Sequence, residues 1–258
     1  MAKATAFRCM MCGQGTAQMQ SRRDAKDGEM IAIAICNSCG HTQLSPVPTD
    51  DELIAFYKSD YRLAYRNARK PKKKHVLRAG RRAKERLDRL QRFLKPGAAH
   101  LDIGAGGGEF VYLSGERGLA SRGIDPASDY LDFARDAYGI DVTEMGIKDI
   151  EADATYDVVT MFHVLEHLPD PAEVFSIIHR LLNDNGMLIV EVPNLDNAQT
   201  SPSNFFFKAQ LSFFTASTLA ALAAPGFDLE MMEDRDVLLA VFKKRGDAYD
   251  IAAPPFAN

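Results

Sequence analysis

The stretch Leu101-Asp102-Ile103-Gly104-Ala105-Gly106-Gly107-Gly108 is the most informative part of this chain, because an apolar segment runs through an acid into four glycines. Glycine permits positive φ values and lets a ligand approach the backbone closely. A helix that follows such a turn presents free N–H groups and the positive end of its dipole. Taken alone, the pattern fits either a ligand-binding turn or a tight connection between a strand and a helix.

Strand and helix signals alternate around this turn. Apolar runs predict strands over residues 98–103, 121–125, 156–162 and 187–192, and amphipathic runs predict helices over 109–115, 128–138 and 171–182, the last ended by Gly186. A helix at 216–224 and strands at 227–232 and 237–243 follow. Such alternation predicts an α/β fold of Rossmann-like type, with a mostly parallel sheet and helices on both faces.

Two acids define which ligand suits the turn. Asp125 ends the second predicted strand, 21 positions after Gly104, where a carboxylate can accept hydrogen bonds from the ribose hydroxyls of an adenosine ligand. Asp102 precedes the glycines, where it would repel a pyrophosphate. The pair therefore favours a ligand that has an ammonium group and no phosphate, and S-adenosylmethionine meets both conditions.

Four segments resemble the motifs of class I S-adenosylmethionine-dependent methyltransferases, in the family's order and spacing. They are residues 101–108, Gly123-Ile124-Asp125-Pro126, residues 156–168 and residues 186–194, and the resemblance covers about 98–245. The resemblance implies a cofactor site with these members: Asp102, Gly104, Ala105 and Gly106 around the methionine end, Asp125 and Pro126 at the ribose, Gly146, Ile147 and Lys148 at the adenine, and Phe162 and His163 beside the cofactor.

The segment His163-Val164-Leu165-Glu166-His167 follows a buried strand and is the predicted catalytic region. In similar sugar methyltransferases, the position of His167 is that of a proposed general base, and a histidine near neutral pKa can take a proton as the methyl group arrives. The alternative is that Glu166 and His167 only anchor the loop. Quinone-type relatives use Glu, Glu and His near here for a divalent metal; since His163 occupies the first of those positions, we expect no catalytic metal.

All four cysteines of the chain lie in two pairs, Cys9-Met10-Met11-Cys12-Gly13 and Cys36-Asn37-Ser38-Cys39-Gly40. Two such pairs predict a closed tetrahedral zinc site with a structural role, with an iron site or redox thiols as alternatives. His41 is a spare candidate ligand, or else a surface residue. A segment this small buries little apolar surface, so the metal would supply its folding energy.

The predicted organisation is a zinc-ribbon module at 1–45, a helical linker at 46–96 and a catalytic domain at 97–258. The cysteine pairs, followed by a Pro-Xaa-Pro segment and a tyrosine-rich helix, resemble the N-terminal module of bacterial sugar and natural-product methyltransferases, in which the module helps to cover the substrate. Candidate substrate residues are Tyr57 and Tyr61 on that helix, or packing residues in the alternative, and Asn194, Phe206 and Phe213 in the loop 194–214.

Charge is distributed unevenly along the chain. Residues 1–100 carry a balance of +12 and residues 101–258 a balance of −16, and the segment 66–92 contains 13 Lys or Arg. This pattern fits a solvated helix face, a surface for a phosphorylated small substrate, or an RNA-binding surface. The basic segment lacks the interleaved aromatics that stack on bases, which argues against RNA.

We therefore expect a methyltransferase that acts on a small-molecule acceptor, namely a hydroxyl of a sugar, glycan or natural-product intermediate, including phosphorylated or sugar-like molecules. The alternatives are an RNA methyltransferase that uses the basic segment and a catalytically silent, cofactor-binding interaction protein. No stretch approaches the roughly 20 apolar residues that a membrane span requires, so we expect no membrane partner and a cytoplasmic location.

Overall fold

The computed structural model describes residues 7–49, 52, 71–126, 130–151, 153–196, 205–246 and 248–249. By its internal contacts the chain divides into two compact units, and neither is continuous in sequence. The cysteine unit comprises Met1–Thr49, Phe162–His179 and Val190–Asn258, and the glycine-turn unit comprises Asp50–Met161 and Arg180–Ile189. The three-part division into 1–45, 46–96 and 97–258 remains a prediction.

The secondary structure of the described residues follows the predicted alternation closely. In chain order the elements are β1 (Ala17–Arg23), β2 (Met30–Cys36), β3 (Thr42–Leu44), α1 (Lys73–Leu90), β4 (Ala99–Ile103), α2 (Glu109–Glu116), β5 (Ala120–Asp125), α3 (Leu131–Tyr138), β6 (Asp141–Glu144), β7 (Tyr156–Phe162), α4 (Pro171–Leu181), β8 (Leu182–Pro193), β9 (Ser212–Phe213), α5 (Ala216–Ala223), β10 (Phe227–Asp234) and β11 (Val237–Lys244), with 3₁₀ turns at Ile147–Asp149 and Leu165–His167.

A seven-stranded sheet has the order β10-β11-β8-β7-β4-β5-β6. In the glycine-turn unit, β4 pairs in parallel with both β5 and β7, and β5 pairs in parallel with β6. Side chains such as Leu101, Val159 and Ile189 are completely buried, as expected for parallel strands covered on both faces. The prediction of a mostly parallel α/β sheet is confirmed, and the short strand β6 is an addition to it.

Helix α1 buries only its C-terminal half. Ala83, Leu87 and Leu90 are buried, whereas Leu77 at the N-terminal end is 62% exposed. The outer positions carry mostly Lys and Arg, so the helix is amphipathic with a basic outer face. Within the described residues, no helix combines the length and apolar character that crossing a membrane requires.

The cysteine unit contains a second, four-stranded sheet with the order β1-β2-β3-β9. Its first three strands form an antiparallel meander within residues 7–49, which we call the ribbon. The fourth strand comes from far along the chain: Thr42 pairs with Phe213, and Gln43 pairs with Ser212. A segment of the predicted specificity loop is therefore a structural part of the ribbon sheet.

The connection from α4 to β8 differs from the expected one. Gly186 lies inside β8 and not at the end of the helix. The left-handed conformation belongs to Asn185, with a φ of 61°, since the short amide side chain of Asn tolerates this region. A Cβ on Gly186 would lie 2.9 Å from the Asn183 carbonyl oxygen, so glycine is needed there for close packing and not for a helix end.

Candidate functional site

The glycine turn leaves β4 with three residues in the left-handed region, Gly104 (φ 76°), Gly106 (φ 53°) and Gly108 (φ 77°). A Cβ on Gly108 would lie 2.5 Å from a methyl carbon of Ile140, so packing excludes any side chain there. A Cβ on Gly106 would meet no atom within 4 Å. The space next to Gly106 is therefore open, and α2, whose first N–H groups have no partner within the helix, begins directly after the turn.

Asp125 at the end of β5 connects the parts of this region. Its carboxylate Oδ2 accepts a hydrogen bond of 2.9 Å from the Gly106 N–H, and its carbonyl oxygen accepts one of 3.1 Å from the Met145 N–H. Gly146 follows directly, and Ile147 and Lys148 begin a 3₁₀ turn. The glycine turn, Asp125 and the 146–148 segment, all predicted as cofactor-binding, are thus assembled in one unit, and Pro126 follows Asp125.

Asp102 is almost completely buried, at 3% exposure. Its Oδ1 accepts a hydrogen bond of 2.6 Å from the Thr160 hydroxyl. Burial raises the pKa of Asp102 to about 7, and this outweighs the lowering by Thr160 and Arg86; the neighbouring Asp125 raises it further. A cation that binds beside a buried carboxyl group stabilises its anionic form. The burial of Asp102 therefore suits a ligand with an ammonium group.

His100 is connected to Asp102 through the Thr160 hydroxyl. Because the Thr160 hydroxyl donates to Asp102, its oxygen must accept from His100 Nε2, which lies 2.9 Å away. His100 Nδ1 then accepts from the Ser121 hydroxyl, also at 2.9 Å. Burial lowers the pKa of His100 to about 3, so the imidazole is neutral in this chain of hydrogen bonds. The sequence signal for this network is the presence of His100 and Thr160 in otherwise apolar strands.

His163 follows β7 with a φ of 56°, a conformation that a residue other than glycine rarely adopts. Its Nδ1 lies 3.4 Å from Glu166 Oε1, and its Nε2 lies 3.1 Å from Glu191 Oε1. Both carboxylates are nearly inaccessible. Burial alone would lower the pKa of His163, but the hydrogen bonds to Glu166 and Glu191 outweigh it and raise the pKa to about 9. His163 is therefore an imidazolium at neutral pH and has no lone pair to accept a proton.

His167 differs from His163 in the partner of its Nδ1 atom, which is a carbonyl oxygen and not a carboxylate. Its Nδ1 lies 2.7 Å from the Ala209 carbonyl oxygen, so Nδ1 must carry a proton and donate it. In the neutral ring Nε2 then has a free lone pair. Glu166 Oε1 lies 3.8 Å from this Nε2, and Glu166 Oε2 is buried without a hydrogen-bond partner among the described residues. About a third of the His167 side chain is exposed, so the ring is accessible.

Glu191 was not identified from the sequence as a site residue. It lies in β8, 25 positions after Glu166, and only the fold brings both carboxylates to His163. Its one sequence signal is an acid inside an apolar strand.

Of the five predicted substrate residues, three lie among the described residues, and all three are buried. Tyr57 and Tyr61 lie outside the described residues. Asn194 is buried; its amide nitrogen donates to Asp234 Oδ1 and to the Arg235 carbonyl oxygen, both at 2.6 Å. Phe206 and Phe213 are also buried, with ring centroids 4.8 Å apart. All three side chains are used for packing or internal hydrogen bonds, and contact with an acceptor remains a prediction.

The four cysteines form a compact cluster. Their Sγ atoms all lie within 4.8 Å of one another, and none is in a disulfide. In each pair the glycine donates its N–H to the carbonyl of the first cysteine, from Gly13 to Cys9 and from Gly40 to Cys36, with φ values of 71° and 70°. Two tight turns thus direct all four sulfurs to one point, and the donor set fits a tetrahedral metal ion.

His41 is neither a metal ligand nor a surface residue. It is completely buried, its Nε2 lies 3.3 Å from the Ser212 hydroxyl, and its ring packs against Phe214. Burial lowers its pKa to about 3. The expectation of an exposed His41 is wrong because β9 covers this side of the ribbon.

A cavity of about 390 Å³ opens in the glycine-turn unit between α1, α2 and the end of α3. Its lining is mainly apolar and aromatic, and none of the predicted site residues belongs to it: Val76, Leu77, Gly80, Arg81, Lys84, Glu109, Tyr112, Leu113 and Tyr138. The chemistry-bearing residues are thus found at the ends of the parallel strands, where open α/β sheets bind ligands, and not in this cavity.

The chain is similar to known proteins in sequence and in fold. A family model described as a methyltransferase domain matches residues 75–232. Two ubiquinone biosynthesis O-methyltransferases are relatives: that of Pseudomonas paraeruginosa is 32% identical over 105 residues, covering 38% of this chain and 45% of the relative. That of Hahella chejuensis is 33% identical over 130 residues, covering 47% and 52%. The matches thus span about half the length of these curated relatives.

Solved structures share the fold. The 1,6-didemethyltoxoflavin-N1-methyltransferase of Burkholderia thailandensis, with 1,6-didemethyltoxoflavin and S-adenosylhomocysteine bound, has a TM-score of 0.61 and 20% identity, over 84% of this chain and 96% of that one. An S-adenosylmethionine-dependent methyltransferase from Archaeoglobus fulgidus has a TM-score of 0.55 and 20% identity, over 73% and 100%. These likenesses confirm the expected class I, Rossmann-like fold.

Proposed function

The chain belongs to the methyltransferase domain family, and we propose that it transfers the methyl group of S-adenosylmethionine to a hydroxyl of a small molecule, with His167 as the general base. The observation that carries the proposal is the hydrogen bond between His167 Nδ1 and the Ala209 carbonyl. It fixes the proton on Nδ1 and leaves Nε2, on a partly exposed ring, able to accept a proton from an acceptor hydroxyl.

The cofactor half of the site would consist of Asp102, the turn Gly104 to Gly106, Asp125 with Pro126, and Gly146 to Lys148. S-adenosylmethionine, when bound, supplies an electrophilic methyl group on a sulfonium. Asp102 would pair with the ammonium group, since its buried carboxyl gains most from a cation. Asp125 would accept from the ribose hydroxyls while it keeps its bond to Gly106 N–H.

Glu166 would stabilise the product of the proton transfer. When His167 takes a proton at Nε2 it becomes an imidazolium, and Glu166 Oε1 lies 3.8 Å from this atom. His163 cannot replace His167 as a base, because its two nitrogens face Glu166 and Glu191 and its pKa is about 9. We assign His163 a positioning role, in which it orients Glu166 and partly neutralises the two buried carboxylates.

A hydroxyl acceptor is supported by the relatives, which are named as O-methyltransferases of ubiquinone biosynthesis. The sugar, glycan or natural-product acceptor expected from the sequence gains no support from these relatives, so we extend the proposal to small-molecule hydroxyls in general. We further propose that Cys9, Cys12, Cys36 and Cys39 hold a structural Zn²⁺, since four sulfurs converge without a disulfide. Four thiolates leave no open position for catalysis on the metal.

The test measures transfer of radiolabelled methyl groups from S-adenosylmethionine to a panel that contains a catechol, a nucleotide sugar and total RNA. For His167→Asn we expect kcat on the hydroxyl acceptor to fall about 100- to 10,000-fold, with unchanged S-adenosylhomocysteine affinity by calorimetry. The control is His75→Asn, an exposed histidine on α1, which should match the wild-type protein. Full turnover by His167→Asn would refute the base.

The same panel separates the rival functions. Salt-sensitive methylation of RNA, with none on the small molecules, would support an RNA methyltransferase that uses the basic outer face of α1. Cofactor binding with no transfer to any acceptor would support a silent binding protein.

A further inference from the structure

The ribbon holds one particular segment of the chain, residues 205–213, at several points. The Ala25 N–H donates to the Phe206 carbonyl at 2.8 Å, and the Leu44 N–H donates to the Leu211 carbonyl at 2.9 Å. Strand β9 then pairs with β3. Backbone contacts to the ribbon therefore hold the segment at Phe206, at Leu211 and in β9, and its conformation depends on that of the ribbon.

Asp24 makes the most specific of these connections. It lies in the turn between β1 and β2 and is 4% exposed. Its Oδ1 accepts hydrogen bonds from the Lys26 and Asp27 N–H groups at 2.7 and 3.3 Å, and its Oδ2 accepts from the Lys208 N–H at 2.6 Å. A buried carboxylate with three backbone donors is a strong, charge-assisted anchor. One side chain thus closes the ribbon turn and holds Lys208.

The Lys208 side chain adds a weaker connection. Its Nζ forms ion pairs with Asp27, at 3.0 Å, and with Glu29. These acids are half-exposed or more, and exposed ion pairs contribute little to stability. Of the two connections at Lys208, the buried hydrogen bond from its backbone N–H to Asp24 is therefore the stronger.

The residue next to Lys208 in the chain contacts the proposed base. The Ala209 carbonyl accepts from His167 Nδ1 at 2.7 Å, and the Leu211 N–H donates to the Glu166 carbonyl at 2.7 Å. The segment thus touches the ribbon on one side and the backbone or side chains of Glu166 and His167 on the other. The peptide that sets the tautomer of His167 is adjacent to the peptide that Asp24 holds.

We propose that Asp24 is a positioning residue for methyl transfer, acting through Lys208 and Ala209 on His167. The inference rests on the proposed role of His167 as the base. In this arrangement the ribbon contributes to catalysis without contact with the reacting atoms, because it keeps the Ala209 carbonyl where it fixes the proton on Nδ1. When the carbonyl moves, the ring can rotate and can place its proton on Nε2, the atom that must accept.

The test uses Asp24→Asn in the full-length protein. The amide replaces one carboxylate oxygen with an NH₂ group, so either the ribbon turn or the Lys208 N–H loses its acceptor. We expect about a 10-fold lower kcat, an unchanged affinity for S-adenosylhomocysteine and an unchanged metal content. Asp27→Asn is the control: it alters the exposed ion pair with Lys208 Nζ and the hydrogen bond from the Glu29 N–H, but it leaves the bond from the Lys208 N–H to Asp24 in place, and it should retain wild-type kcat.

Two further measurements separate a positioning role from a loss of structure. In a His167→Asn background, Asp24→Asn should cause no additional loss of turnover, since both changes act on the same group. Nitrogen-15 NMR of the histidine rings should show His167 protonated at Nδ1 in the wild type and in Asp24→Glu, and a mixture of tautomers in Asp24→Asn.

The outcomes are distinguishable from failure of the proposed function. If His167→Asn keeps full turnover, the base assignment fails. If His167→Asn is inactive but Asp24→Asn keeps the wild-type kcat and the wild-type tautomer of His167, the positioning role of Asp24 alone is overturned. An additional loss in the double variant would also overturn it, because Asp24 would then act on something other than His167.

Discussion

Replacing Asp102 with asparagine should make the ligand-free protein more stable at alkaline pH and the cofactor complex weaker. The carboxyl group is 3% exposed and has Thr160 as its hydrogen-bond donor. Asparagine keeps an oxygen for Thr160 but carries no charge, so the substitution removes the buried anion while it preserves the shape of the side chain. The two expected effects therefore have opposite signs.

The magnitude follows from the pKa of Asp102. Burial raises it from 3.8 to about 7, and one pKa unit corresponds to about 1.4 kcal/mol. Because the folded-state pKa is raised, the unfolding free energy of the wild type falls as pH rises from about 4 to about 7, by about 4 kcal/mol in total. About 2.5 kcal/mol of this lies between about pH 5 and about pH 8. Any cost of an unpaired amide in Asp102→Asn is the same at every pH and cancels from this difference.

The assays are urea unfolding of the ligand-free proteins at the two pH values and calorimetric titration with S-adenosylhomocysteine. Loss of a charge-assisted hydrogen bond to the ammonium group costs about 1.5–3 kcal/mol, so the affinity should fall about 10- to 100-fold. If Asp102→Asn and wild type lose stability in parallel from acid to alkaline pH, the buried-anion argument is wrong. An unchanged affinity would remove Asp102 from the cofactor site.

Three other predictions concern separate parts of the molecule. Gly123→Ala should lower the unfolding free energy by about 1–3 kcal/mol, because its Cβ would lie 2.6 Å from Ala105 Cβ and 2.9 Å from a Val111 methyl; Gly115→Ala, with nothing within 4 Å, is the control in thermal unfolding. Chelation or Cys39→Ser should release one zinc ion per chain, measured by a colorimetric chelator, and should lower the unfolding temperature. If no zinc is released and the unfolding temperature does not change, the proposed metal site is wrong. The stability contributed by His163 should be present below its unfolded pKa of about 6.5 and should be lost as pH rises through about 9. Glu191→Gln should reduce this loss, measured as the unfolding free energy below about pH 6.5 and above about pH 9.

The parallel half of the fold could be predicted because its signals are local. Strand β7 has the predicted bounds, and most other strands and helices differ by one to three residues, since hydrophobic periodicity and glycines act over short stretches of chain. The segments expected at the cofactor could be located for the same reason: Asp102 lies near the end of β4 and Asp125 ends β5, and the glycine turn follows β4. Short strands such as β6 and β9 have too few residues to show a period, and they were not predicted.

The acceptor side of the site could be predicted only in part. The segment from His163 to His167 was identified, with His167 as the expected base, but the contacts of its two imidazole rings were not predicted, because they involve partners far along the chain. Glu191 contacts His163 Nε2, and the Ala209 carbonyl oxygen contacts His167 Nδ1. A carbonyl oxygen has no sequence signature at all, and Asp24 lies 143 positions before His167. Such long-range pairings are set by tertiary structure.

The pairing of β3 with β9 has a consequence for how the protein forms on the ribosome. The cysteine pairs are complete once the first 40 residues have emerged, so a metal ion can be bound early. The fourth strand of that sheet, Ser212–Phe213, emerges about 170 residues later, roughly 10–30 s at usual synthesis rates. During this interval the nascent ribbon has an open edge at β3, and such an edge is a template for pairing with other chains. We therefore expect the ribbon to be the segment most dependent on chaperones during synthesis, and its transfer to another enzyme to require both the N-terminal residues and the distant strand.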